Sequence, residues 1–348
     1  MRQGTVIHGP LFALVCITVS AFPGTRIGRY GRVAVFFSSE WKGTRRSVKK
    51  TAMKPAAIVF IVSGLICFSH GAAHAEPPEI ILWPEGVPEP VVPSDPAEQT
   101  VTGPDGLTRR FHVSNPRLFV HVPEKTEASL RAAVIVVPGG AFARLADEHE
   151  GSDVCRWLNQ HGIVAFQLAY RTPTNKQSQP EAGPVQDLHR AVRLVRTRAA
   201  EFQVDPNRIG VIGFSAGGQT AFVAAASQPA DATAKSGADQ SSKPNMLLLI
   251  YPWKIWDEER TAVHAAATLD GSFPPTFIAQ AADDNSSPAA GNARVFLELT
   301  TLKVPVEFHV YETGGHGFGM RPRVGAPGTA DWPRRAADWL QLRGFIVP

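Results

Sequence analysis

Residues 208–220 read RIGVIGFSAGGQT. Ile209 to Phe214 is a short apolar run of the kind that forms a buried strand, and it stops at Ser215. Ala216-Gly217-Gly218 then opens into Gln219 to Ala226, a run that reads as helix. Gly213, Ser215 and Gly217 together spell G-x-S-x-G. That pattern marks a sharp strand-to-helix turn, in which small flanking residues let a serine oxygen stand clear of a sheet. A motif this short arises by accident in roughly one chain in ten of this length, so its surroundings decide what it means.

Upstream, Leu118, Val120 and Val122 alternate with Phe119 and His121, the period of a half-buried strand. Ala132 to Val137 is wholly apolar and ends at Pro138-Gly139-Gly140. Ser152 to His161 has helical spacing and is closed by Gly162; Ile163 to Leu168 is a further strand. Val185, Leu188, Val192, Val195 and Ala199 form the core-facing stripe of another helix. Downstream, strands are expected at Asn245 to Tyr251, Pro275 to Gln280 and Val306 to Tyr311. Helices are expected at Asn292 to Leu302 and at about Pro333 to Leu342. Buried strands alternating with amphipathic helices predict an α/β fold: a mostly parallel central sheet with helices on both faces. Glu76 to Gly106 is proline-rich and aperiodic, so it is expected to wrap over the surface, and Ala230 to Lys243 reads as a surface insertion. No internal repeat is visible, and residues 76–348 read as one domain.

The charge is unevenly spread. Residues 1–75 hold ten Lys/Arg against the single acid Glu40, which leaves residues 76–348 at −5 although the whole chain is +4. A mildly acidic body gives no electrostatic reason to expect nucleic acid as a partner. Lys54, the apolar run Ala56 to Phe68 and Ala73-His74-Ala75 have the order of a secretory signal peptide, cleaved after Ala75. That reading makes 53–75 the leader and 1–52 a non-native or disordered extension, with translation starting at Met53. It implies a secreted or periplasmic protein with no stable membrane association once the signal is cleaved. Cys16 and Cys67 fall in this leader region, so Cys155 is alone in the body and is expected to be a packed thiol. No C-x-x-C or H-E-x-x-H spacing occurs, so no metal site is expected.

A serine hydroxyl is a weak nucleophile at neutral pH and needs a base, an acid that orients the base, and donors for the developing oxyanion. After Ser215 the histidines are His264, His309 and His316. His309 lies inside an expected strand, and His264 precedes any plausible acid. His316 sits in Gly314-Gly315-His316-Gly317-Phe318-Gly319, a loop just past a strand end, where reacting side chains of such sheets gather. Asp283 and Asp284 both follow the strand ending near Gln280 and either could be the acid. Oxyanion donors are expected from the backbone of Ala216 and, in the loop after Val137, of Gly140 and Ala141. Asp147-Glu148-His149-Glu150 could line the acyl site, but the pattern favours a solvated loop.

These parts, in this order, resemble a serine esterase of the α/β-hydrolase fold, close to the acetylxylan-esterase and feruloyl-esterase-like (BD-FAE-like) group. The likeness runs from Leu82-Trp83-Pro84-Glu85-Gly86 to the C-terminus. It is most specific in VIVVPGGAFARLADEHEG, DPNRIGVIGFSAGG, AADD and GGHGFG. It implies an acyl-enzyme on Ser215, with His316 as base and Asp284 rather than Asp283 as acid. It also implies hydrolysis of small acyl esters, often acetyl groups on plant polysaccharide, without a cofactor. Departures are Ala141-Phe142 where a third glycine is common, Gln219 where a histidine often stands, and Gln280-Ala281 where His-Gly is usual. The short segment Lys254 to Ser272 leaves room for little or no lid, which favours small or soluble esters over long-chain lipids. A serine peptidase or general esterase on the same fold is the alternative; an inactive binding module would not need all three side chains.

Overall fold

The computed structural model describes residues 77–124, 130–227, 240–321 and 323–347. The extension 1–52, the signal peptide 53–75 and most of the expected insertion 230–243 lie outside the described residues. In chain order the strands are β1 (Glu79–Ile81), β2 (Gln99–Thr102), β3 (Thr108–Phe111), β4 (Arg117–His121) and β5 (Arg131–Val137). Then follow α1 (Asp153–Gln160), β6 (Val164–Ala169), α2 (Ala182–Thr197), β7 (Val204–Phe214), α3 (Ala216–Ala226) and β8 (Met246–Ile250). The rest is β9 (Trp256–Asp257), β10 (Ala262–Val263), β11 (Thr276–Ala281), α4 (Ala289–Thr301), β12 (Val306–Tyr311) and α5 (Trp332–Leu342).

Eight strands form one sheet in the order β1-β4-β6-β5-β7-β8-β11-β12. The pairs from β6 through β12 are parallel, whereas β4 runs antiparallel to β6 and β1 antiparallel to β4. Side-chain alternation splits each central strand between two cores. Ala133, Ile135 and Val137 of β5 join α2, α3 and α4 on one face. Val134 and Val136 join Val154 and Leu158 of α1 and Trp332, Trp339 and Leu340 of α5 on the other. Burial on both faces explains why β5, β7 and β8 read as unbroken apolar runs. The stripe from Val185 to Ala199 is buried, as its spacing requires.

The proline-rich segment departs from expectation. It carries β1 and β2, and Leu82 and Trp83 are buried rather than lying on the surface. The cause is a buried ion pair that the local pattern does not reveal. Arg171 Nη2 lies 2.5 Å from Asp187 Oδ1, with both side chains at 0% exposure. Trp83 Nε1 donates to the same aspartate at 2.8 Å, and Arg171 Nη1 donates to the Pro88 and Pro90 carbonyls at 2.6 and 2.9 Å. Every partner of the pair is therefore hydrogen-bonded, the condition under which a buried charge pair is tolerated. Lys254 to Ser272 contains only the short hairpin β9–β10. Among the described residues no helix is long and apolar enough to cross a membrane.

Candidate active site

β7 ends at Phe214 and α3 begins at Ala216, so Ser215 must make the whole turn. It does so at φ 51° and ψ −118°. A non-glycine residue there costs about 1–3 kcal/mol and persists only where its surroundings impose it. The surroundings are backbone. A Cβ on Gly213 would meet the Gly217 carbonyl oxygen at 2.4 Å, and one on Gly217 would meet the Val137 carbonyl oxygen at 2.1 Å. The two glycines thus let the start of α3 close onto the ends of β5 and β7. Ser215 N donates to the Ile250 carbonyl at 3.1 Å, which ties the turn to β8.

The structure brings Ser215, His316 and Asp284 together. Ser215 Oγ is 2.7 Å from His316 Nε2, and His316 Nδ1 is 2.8 Å from Asp284 Oδ2. An ionised carboxylate only accepts, so Nδ1 carries the proton and Nε2 offers its lone pair to the serine hydroxyl. Asp284 is 3% exposed, and its oxygens are fully engaged. Oδ1 takes the amides of Ser286 and Ser287 at 2.8 and 2.9 Å, and Oδ2 also takes Gln280 Nε2 at 3.0 Å. Burial by itself pushes this carboxyl's pKa up. The hydrogen bond from His316, the Ser287 amide, the charge of His316 and Gln280 together outweigh it and hold the value below the usual range. Asp283 is exposed and accepts the Gly315 amide at 2.7 Å, shaping the histidine loop from outside. Arg323 donates to the His316 carbonyl oxygen. His309 lies in β12 against Glu307 at 2.6 Å, and His264 lies beyond the β9–β10 hairpin.

Gln280 is a buried side chain holding Asp284 that the reading of the sequence passed over. It is fully buried, donates to Asp284 and to the Ser287 carbonyl at 2.8 Å, and accepts from Asn292 Nδ2 at 2.7 Å. Its signal was the departure from His-Gly, since a polar residue ending an apolar strand needs a buried partner.

The loop holding Gly140 and Ala141 abuts the same serine, since a Cβ on Gly139 would meet Ser215 Cβ at 2.8 Å. Ala216 is the first residue of α3, so its amide has no partner within the helix. Gly140 has φ 133°, Ala141 φ 54° and Phe142 φ 58°, a tight reversal that turns the backbone back on itself. Among the described residues, the amides of Gly140 and Ala141 have no acceptor, whereas the Gly139 amide donates to Glu150 Oε2 at 2.7 Å. Glu150 belongs to the cluster expected to be solvated, and here the expectation fails. Asp147, His149 and Glu150 are buried at 9%, 7% and 3%. Residues Glu148–Ser152 form a wide helical turn. It is pinned by Arg110 on Asp147 at 2.9 Å, by Gln167 Nε2 on Asp147 Oδ1 at 2.9 Å, and by Arg321 on Glu148.

A strained serine, an imidazole and carboxylate in relay, and unpartnered amides beside them can perform nucleophilic acyl transfer. The BD-FAE family model matches residues 118–250. The chain is 28% identical over 211 residues to an acetylxylan esterase of Xylanibacter ruminicola, a match covering 54% of this chain and 41% of that protein. The chain thus spans less than half the length of that curated relative. An acetyl ester-xyloside bifunctional hydrolase from Caldicellulosiruptor lactoaceticus superposes with a TM-score of 0.61 at 28% identity, over 78% of this chain and 98% of that one. A thermophilic esterase of Thermogutta terrifontis with propionate bound gives 0.58 at 25% identity, over 74% and 98%. Fold and likeness place the chain among proteins of the α/β-hydrolase fold. Within that class, the particular resemblance is to the BD-FAE and acetylxylan-esterase group.

Proposed function

We propose that this protein removes small acyl groups, acetyl foremost, from carbohydrate esters through an acyl-enzyme on Ser215. The observation that carries the reading is the continuous relay from Ser215 Oγ through His316 to Asp284, at 2.7 and 2.8 Å. As Ser215 Oγ bonds to the ester carbonyl carbon, its proton passes to His316 Nε2, and Asp284 stabilises the resulting imidazolium. The carbonyl oxygen takes up negative charge and is received by the amides of Ala216, Gly140 and Ala141. The carbon–oxygen bond to the alcohol then breaks, and His316 returns its proton to the leaving oxygen. Water, deprotonated by the same imidazole, hydrolyses the acyl-enzyme and frees the acid.

The sugar part of the reading draws on a cavity of about 460 Å³ next to the Asp284 loop, with Ser286 and Ser287 in its wall. Trp256 offers apolar surface there, while Gln219, Asp257, Glu258 and His264 offer hydrogen-bonding groups, a mixture suited to a small hydroxyl-rich alcohol. The acetylxylan relative supports the same reading. Secretion or periplasmic export is part of the proposal and rests on residues 53–75; N-terminal sequencing of the native protein beginning at Glu76 would support it.

The test is hydrolysis of 4-nitrophenyl acetate by residues 76–348, lost in Ser215→Ala. Acetate release from acetylated xylan is measured beside feruloylated and simple aryl esters. Equal activity in Ser215→Ala would overturn the mechanism, and turnover of aryl esters without acetate release from xylan would overturn the substrate.

A further inference from the structure

Glu150 is a carboxylate that the proposed mechanism does not use, 3% exposed, and no lysine or arginine among the described residues pairs with it. The neighbouring His149 Nε2 lies 3.5 Å from its Oε1. Burying a charge is costly, and replacing buried charged groups by apolar side chains of similar volume is often neutral or stabilising. Something other than stability has to explain a carboxylate here.

Its hydrogen bonds supply the explanation. Oε2 accepts the Gly139 amide at 2.7 Å, and Oε1 accepts the Tyr251 hydroxyl at 2.9 Å. The Tyr251 oxygen in turn accepts the Gly319 amide at 2.8 Å. Gly139 precedes the two expected oxyanion donors, and Gly319 follows His316 by three residues. The Tyr251 ring also stands edge-on to the His316 imidazole, with centroids 5.1 Å apart. Gly139 is wedged in place, since a Cβ there would meet Glu150 Oε2 at 2.7 Å and Ser215 Cβ at 2.8 Å. Tyr251 itself sits at φ 38°, a conformation that a bulky residue adopts only under constraint. Burial, then the neighbouring Glu150, push its phenol pKa well above the ordinary range, so it remains a donor to the carboxylate.

We propose that Glu150 is a positioning residue for ester hydrolysis: through Tyr251, its carboxylate locks the oxyanion loop to the histidine loop. The inference rests on the reading of Ser215 as nucleophile. The left-handed run from Gly140 to Phe142 is the part of the site most in need of such a strut, because its non-glycine residues are strained. The role is geometric. An anion behind the oxyanion donors opposes the charge that develops in front of them, so a neutral acceptor of the same shape suffices.

The experiment compares wild type with Glu150→Leu, Glu150→Gln and Tyr251→Phe, using 4-nitrophenyl acetate and thermal melting. It adds the affinity of a boronic acid whose boron bonds to Ser215 Oγ, the hydroxyl proton passing to His316, to give a tetrahedral adduct. Loss of oriented oxyanion donors predicts about a 100-fold fall in kcat for Glu150→Leu with little change in KM. Boronate affinity is expected to fall in step with kcat/KM. Glu150→Gln keeps an acceptor for the Gly139 amide and turns its NH2 to donate to the Tyr251 oxygen, so it is expected to recover most of the activity; Tyr251→Phe is expected to lose about tenfold. Glu150→Leu retaining kcat within about threefold of wild type would overturn the proposal, as would a loss borne by KM with boronate affinity unchanged. If Glu150→Leu does not fold, full activity in Tyr251→Phe overturns it instead. Failure of the underlying reading looks different: wild type itself would be inactive, or Ser215→Ala active.

Discussion

The loop after β11 and the turn that follows the β5 loop each bury one carboxylate, Asp284 and Glu150, both 3% exposed. Asp284 bonds to an imidazole that must change its charge during turnover, and its remaining lone pairs are taken by two amides and Gln280. Glu150 bonds to groups that never change charge, a backbone amide and a phenol. Two acids of equal burial therefore face different demands. One has to stay ionised to stabilise a transient cation. The other has only to accept two hydrogen bonds.

Replacing each acid by its amide tests that difference most severely. Asp284→Asn puts a donor where His316 Nδ1–H needs an acceptor and selects the wrong tautomer. Its kcat on 4-nitrophenyl acetate is expected to fall about 10⁴-fold, against no more than about tenfold for Glu150→Gln. Equal losses would erase the distinction between the two carboxylates. The next effect is on the fold of the elbow to which both loops converge. Gly217→Ala drives a Cβ to 2.1 Å from the Val137 carbonyl oxygen, and backbone cannot yield as a side chain can. A loss of about 3 kcal/mol or more is expected, read as a lower midpoint in urea. Gln280→Leu removes one charge-assisted hydrogen bond from Asp284 and leaves Asn292 Nδ2 only its long 3.5 Å contact with Ser287 Oγ. A loss of about 2 kcal/mol is expected, with kcat reduced far less than in Asp284→Asn.

Titration sharpens the comparison further. The carboxyl of Asp284 is held below its ordinary value of 3.8 in the folded protein. Its ionised form is therefore favoured by folding, so its contribution to stability is complete above about pH 3.8 and is lost as pH falls through the lower folded value. The stability gap between wild type and Asp284→Asn should narrow as pH falls below about 4, measured by urea denaturation. The smallest expected effect is at Cys155. Complete burial pushes its thiol pKa well above 9.0, so Cys155, followed by peptide mapping, should not react with thiol reagents in native protein but should in urea-unfolded protein.

Much of the site was legible because it is built from short local patterns at strand ends. G-x-S-x-G states its own geometry, since only small residues let Ser215 turn at φ 51°. The choice of His316 over His264 and His309 followed from their places relative to strands, and those places come from hydrophobic periodicity. The choice between Asp283 and Asp284 was different. Both stand at the end of β11, and the residues alone left them equal; the likeness to known esterases favoured Asp284. The folded chain shows the physical distinction, with Asp283 outside against the Gly315 amide and Asp284 inside against His316.

Glu150 was misread for a reason that applies generally. Four polar residues in a row look solvated when the partners that satisfy them are distant in sequence. Here those partners are Arg110, Gln167, Tyr251 and Gly139, and no periodicity announces them. The buried Arg171–Asp187 pair that draws Trp83 inward was invisible for the same cause.

Alternation of apolar strands with amphipathic helices, and the backbone clearance that glycine alone provides at the elbow, determined by sequence the sheet, its coverage and the position of Ser215. Tertiary structure decided which polar groups meet: which aspartate faces the imidazole, which glutamate holds the Gly139 amide, and which tyrosine joins the two loops. Hydrophobic patterning is local and repeats along the chain. Hydrogen-bond partners are single contacts between distant residues, and they exist only once the sheet has brought its strand ends together.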